Sequence, residues 1–200
     1  MKFIGIILLL LTSIFLIACS ANQASNNTSN SELESLASKY GGVYIFNQKF
    51  VDEIEKREAE RKELSKKMKG RDLGDGLYAI DPKPINEKLP RILSNGKPYY
   101  QRRNYSKKVV IPDDVVIKLK NFMGEAAYNR SSIMISDFYI DDEKLKVISL
   151  DVNFYQSYTK YGLFGDEGRG FSLSRKDIKD IGGNSEFYFD GHKNTFVREK

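Results

Sequence analysis

From residue 132 onward apolar and polar side chains alternate with a period of two, a pattern that a sheet satisfies and a helix does not. Ile133 to Ile140 and Leu145 to Tyr155 read as an antiparallel pair, joined by a turn at Asp141-Asp142-Glu143-Lys144. On the second strand Ile148, Leu150, Val152 and Phe154 face one way, while Ser149, Asp151 and Asn153 face the other. That division predicts a sheet with one wet face. Just upstream the period lengthens. Val115, Val116, Leu119, Phe122, Met123, Ala126 and Ala127 line one side of a helix near 113–128. Pro112 opens this helix, Asp113 and Asp114 sit at the positive end of its dipole, and Gly124 lies inside it.

The rest of the chain completes an α+β pattern. Ser31 and Glu34 have capping-box spacing for a helix through Tyr40, stopped by Gly41-Gly42. Val43 to Phe46 reads as a short buried strand. Asn47 caps a charged helix from Gln48 to Lys69, in which Glu53–Arg57, Glu58–Lys62 and Glu63–Lys67 have i,i+4 spacing. Its apolar residues gather at the two ends, so the middle is predicted to be solvated. Gly70 to Gly76 reads as a loop, and its Asp72 and Asp75 lack the spacing of an EF-hand. Leu77–Ile80 and Val109–Ile111 read as short strands, and 81–97 as an extended Pro-rich loop with a turn at Asn95-Gly96. Four glycines between 161 and 170 suggest a loop without the order of a phosphate-binding motif. Ser174 is placed to cap a short helix ending at Gly182-Gly183. A hairpin around Asp190-Gly191 closes the chain. The expected class is therefore α+β, with a mainly antiparallel sheet, one packed helix and one exposed charged helix.

The first twenty residues have a separate logic. Lys2 is followed by an apolar run from Phe3 to Ile17, broken only by Gly5, Thr12 and Ser13. Fifteen residues fall short of the roughly 20 that a spanning helix needs. A positive start, an apolar stretch and a small residue at the cut are the layout of an export signal. Leu16, Ile17, Ala18 and Cys19 resemble, position for position, the lipobox of bacterial lipoproteins. The resemblance covers residues 1–20 only. It implies cleavage between Ala18 and Cys19, acylation of Cys19 (palmitate or a similar chain), and a mature protein held in the cell envelope by lipid. Ser20, where some members carry an inner-membrane retention Asp, implies the outer membrane, facing the periplasm, if the source is Gram-negative. The expected organisation is a removed signal peptide (1–18), a lipidated Cys with a flexible Ser/Asn tether (19–31), and one globular domain (32–200). Cys19 is the only Cys, so no disulfide forms within one molecule.

Composition narrows function mainly by exclusion. The net charge of +5 is too mild to define a function, and an envelope address argues against nucleic acid as a partner. His192 is the only His, no Ser lies in a GxSxG elbow, and Cys19 is committed to lipid, so no metal, no cofactor and no catalytic residue is assigned. The densest basic-aromatic stretch is 97–108, with five cations and three Tyr. Lys97, Tyr99, Tyr100, Arg102, Arg103, Tyr105, Lys107 and Lys108 form the candidate binding patch. The expected function is a non-catalytic binding protein of the envelope with a protein partner, such as an immunity or exclusion lipoprotein neutralising an incoming factor. The alternatives are an assembly lipoprotein of an envelope complex and a carboxylate-dependent cell-wall hydrolase.

Overall fold

The computed structural model describes residues 31–102, 105, 108–166, 168 and 170–199. The expected signal peptide, Ala18, Cys19 and the tether up to Asn30 lie outside the described residues, as do Arg103 and Lys107. The chain is α+β, and its larger sheet has six strands, all but one pair of neighbours antiparallel. The chain divides into two compact units. One is Gly42–Val152 with Asn184–Lys200, and the other combines Asn153–Gly183 with the segment ending at Gly41.

In the larger unit, β1 (Gly42–Ile45) lies between β6 (Lys144–Asn153) and β9 (Ser185–Asp190), antiparallel to the first and parallel to the second. β10 (Thr195–Arg198) pairs with β9 at one edge. At the other, β5 (Ser132–Asp141) follows β6, and β4 (Tyr99–Gln101) forms the edge itself. Aromatic packing fills one side of the centre. Tyr44 stacks on Phe187 at 4.6 Å and meets the edges of Phe196 at 4.9 Å and Phe122 at 6.0 Å. Such ring pairs add about 0.5–1.5 kcal/mol each beyond the area they bury. Phe122 comes from α4 (Asp113–Met123), whose Val115, Leu119 and Met123 are buried as its period predicts. A second cluster joins Ile54 of α2 (Gln48–Lys66) to Leu93, Tyr99 and Ile148, with Phe50, Val51 and Tyr139 packed against it.

Several expectations change. The helix near 113–128 breaks at Gly124, whose φ of 82° and ψ of 156° no helix accommodates, and α5 (Glu125–Arg130) follows. The Gly70–Gly76 loop is instead half a hairpin. β2 (Arg71–Gly74) pairs with β3 (Leu77–Ala79) across Asp75-Gly76, whose φ values of 51° and 77° are those a tight hairpin turn requires. In the expected loop 81–97, Pro82 and Pro84 open the short α3 (Lys83–Lys88), where their missing N–H groups cost nothing. Residues 109–111 are irregular rather than a strand. The far face of β6 is only partly wet, because Ser149 is buried and donates to Asp137 at 2.8 Å. The middle of α2 is not simply solvated: Arg61 is buried there, donating to Asn86 Oδ1 at 2.7 Å and to the carbonyl of Leu89. The expected i,i+4 pairs are replaced by others, with Glu53 on Lys49, Glu58 on Arg91 and Arg61, and Glu63 on Lys66.

In the smaller unit, residues 31–40 form α1, and Gly41 N–H closes its last turn on the Ala37 carbonyl at 2.8 Å. The expected glycine loop and short helix are instead one long ribbon. β7 (Tyr155–Asp166) pairs with β8 (Gly170–Asp180) from Tyr155↔Asp180 to Asp166↔Gly170, with an irregularity between Tyr161 and Phe164. The glycines mislead because they sit at this irregularity and at the turn, not in an open loop. At the ribbon's base Gly41 and Gly183 touch backbone to backbone: a Cβ at Gly183 would stand 2.3 Å from the Gly41 carbonyl carbon.

Candidate functional site

The basic-aromatic stretch 97–108 divides between core and surface. Antiparallel pairing of β4 with β5 sets Tyr99 opposite Tyr139 and Tyr100 opposite Phe138. Alternation along so short a strand must turn one of the two Tyr inward. It is Tyr99, 1 % exposed, whose hydroxyl donates to Glu58 at 2.7 Å. Burial and that carboxylate push its phenol far above the usual range. Tyr99 is therefore removed from the binding patch, because a side chain enclosed in the core cannot touch a partner. Tyr100 stacks on Phe138 at 5.5 Å, and Tyr105 sets its edge against both rings at 4.9 and 5.1 Å. These two Tyr are half-buried against the sheet edge. Lys97 is held by Asp141 at 2.8 Å, a bond that keeps its ammonium protonated above the usual range. Arg102 and Lys108 remain exposed. Arg102 donates to the Tyr105 carbonyl at 3.2 Å, which fixes the head of its side chain.

Arg102 also borders an open concavity of about 600 Å³, lined by Gln101, Arg102, Met134, Ile135, Ser136, Asp137 and Asp151. Three adjacent strands build it: β4 supplies the amide of Gln101, Arg102 follows just past its end, and β5 and β6 supply the carboxylates. The Ser136 hydroxyl donates to Asp151, the Ser149 hydroxyl to Asp137 at 2.8 Å, and Gln101 Nε2 to Asp137 at 3.4 Å. Each hydroxyl proton is thus directed at a carboxylate, which fixes both oxygens of the pair in place. Met134 is exposed and adds an adaptable apolar surface beside the charges. A guanidinium fork, an amide and two carboxylates around one shallow hollow suit a ligand with both donors and acceptors, as a polypeptide surface has.

Asp137, Asp151, Ser136 and Met134 were not among the expected site residues. The signal was present in the strand pair on either side of the 141–144 turn, which brings Asp137 close to 148–151. What it lacked was the register of β4, fixed only by pairing between distant parts of the chain. His192 is exposed in the β9–β10 turn, where its backbone N–H and that of Lys193 donate to Asp190. Among the described residues no cluster of three or more His, Cys, Asp or Glu is arranged to hold a metal. Comparison with known protein families, curated proteins and solved structures finds no match for the chain.

Proposed function

We propose that this protein is a lipid-anchored lipoprotein of the bacterial envelope that binds a protein partner without catalysis, in the manner of an immunity or exclusion lipoprotein. The anchor rests on Leu16-Ile17-Ala18-Cys19, and the binding role on one observation, the hollow where Arg102 and Gln101 stand beside Asp137, Asp151 and Met134. Mixed charge on a preformed sheet surface gives orientation and specificity to a docked chain, while Arg and an exposed Met are among the side chains enriched at interfaces.

Two results are expected. Cells grown with a labelled fatty acid will carry the label on this protein, and Cys19→Ser will abolish it and move the protein to the soluble fraction. Two acyl chains hold a protein stably on a membrane and none does. An unlabelled wild-type chain sinks the envelope address. Charge reversal at Arg102, Arg103, Lys107 and Lys108 together will weaken capture of the partner from envelope extracts by about tenfold or more, the loss expected when an interface hot spot is removed. Arg102→Glu by itself separates the hollow from the neighbouring cations. Unchanged capture by both variants refutes the site.

A further inference from the structure

We infer that the β7–β8 ribbon is a second membrane contact, whose far half docks at the lipid headgroup level. The choice of a lipid surface as its occupant rests on the lipid-anchor reading above. The ribbon is a sheet of two strands alone, and four side chains flanking its charged 166–169 turn are both apolar and exposed: Tyr161 82 %, Leu163 70 %, Phe171 63 % and Leu173 77 %. An isolated exposed Leu is ordinary, but a group of this size calls for an occupant.

Register shows that both faces are involved. Tyr161 pairs with Ser174, so it shares a face with Ser174 and lies opposite Leu173 and Phe171, which stand one and three residues away from Ser174 on the same strand. A protein partner docked against the ribbon would cover one face and leave the other wet. Entry of the ribbon's end into a lipid interface covers both at once. Basic residues follow toward the base: Lys160 pairs directly with Arg175, and Lys176 is adjacent. Like charges placed opposite each other destabilise a strand pair. Asp177, bound by Arg175 at 3.2 Å, offsets this in part, and lipid phosphates at that depth would complete the compensation. Tyr is a residue of membrane interfaces, and open strand edges exclude entry into the hydrocarbon itself, so the contact is shallow.

The test uses the mature chain from residue 19 with Cys19→Ser, so that neither acyl chain nor signal contributes, mixed with vesicles of phosphatidylethanolamine and phosphatidylglycerol. The chain should float with the vesicles, and Leu163→Ser/Phe171→Ser/Leu173→Ser should cut the bound fraction at least tenfold with an unchanged melting temperature. Since the chain has no Trp, Tyr161→Trp supplies a single reporter whose emission should shift to the blue on vesicle addition. Failure to float, equal flotation of the triple variant, or an unmoved Trp spectrum each overturns the inference. So does dimerisation through the ribbon without vesicle binding, which would assign the apolar tip to a second copy. Fatty-acid labelling reads the anchor separately, so a failed anchor and a failed ribbon give different results.

Discussion

Gly42→Ala is expected to abolish the folded state at ordinary temperatures, with a loss exceeding about 4 kcal/mol, the range reserved for severe core disruption. Gly42 opens β1, the strand around which the six-stranded sheet is assembled, and pairs with Val152 on one side and Ser185 on the other. Its φ of 143° is open to glycine and rarely to any L side chain. The parallel partner is also too close: a Cβ at this position would stand 1.9 Å from the Ser185 carbonyl oxygen. Backbone cannot swing aside as a side chain can, so β1 and β9 must separate. Gly76→Ala isolates the conformational part of this cost. Gly76 also has positive φ, at 77°, but nothing lies within 4 Å of its would-be Cβ. It should cost only about 1–2 kcal/mol, or a few degrees in melting temperature. Denaturant titration of both variants decides the matter. Equal losses would show that close approach of β1 and β9 is not what fixes Gly42.

The contrast between these glycines shows what a single sequence can reveal. Gly41-Gly42 reads correctly as a helix stop, yet nothing local says that Gly42 must also admit the Ser185 carbonyl, which belongs to a strand more than a hundred residues away. The strand pair around 141–144 was legible because its pattern and its turn are local, and Asp142 and Glu143 do take the positive φ values of a tight turn, 46° and 63°. Asn47 was legible for the same reason, and its side chain accepts from Phe50 N–H at 3.1 Å. The ribbon is not legible locally because glycine carries two meanings, loop and strand irregularity, and pairing across the whole hairpin chooses between them. In the site, the cations were legible and their carboxylate neighbours were not. Arg102 stands out by composition, whereas Asp137 and Asp151 look like ordinary solvated residues until β4 is laid beside β5. Tyr99 reads as a patch residue because its neighbours are basic. Its burial is decided by Glu58, forty-one residues earlier.

Glu58 is the second position at which a large effect is expected. It accepts from Arg91 Nε at 2.7 Å and Nη2 at 3.0 Å and from the Tyr99 hydroxyl at 2.7 Å, and lies 3.5 Å from Arg61 Nε. Glu58→Ala leaves a buried hydroxyl without its acceptor and two guanidinium groups without their shared anion. Breaking a fully buried pair costs about 3–5 kcal/mol. Glu58 and Arg91 retain some solvent, so the expected loss is nearer 2 kcal/mol. Burial acts to raise the Glu58 pKa, but the Arg91 and Tyr99 bonds and the charges of Arg91 and Arg61 outweigh it, and the net shift is downward from 4.5. A carboxylate more acidic in the folded than in the unfolded chain stabilises fully above the unfolded value, and this contribution is lost as pH falls through the folded one. The wild type should therefore lose stability on acidification below about pH 5 more steeply than Glu58→Gln, which keeps an acceptor for Tyr99 and has no proton to bind. Urea titrations of both proteins from neutral pH into the acid range read the difference directly. Parallel curves would mean that the network contributes no carboxylate-specific stability, and that the buried middle of α2 is held by Arg61 on Asn86 and the Leu89 carbonyl alone.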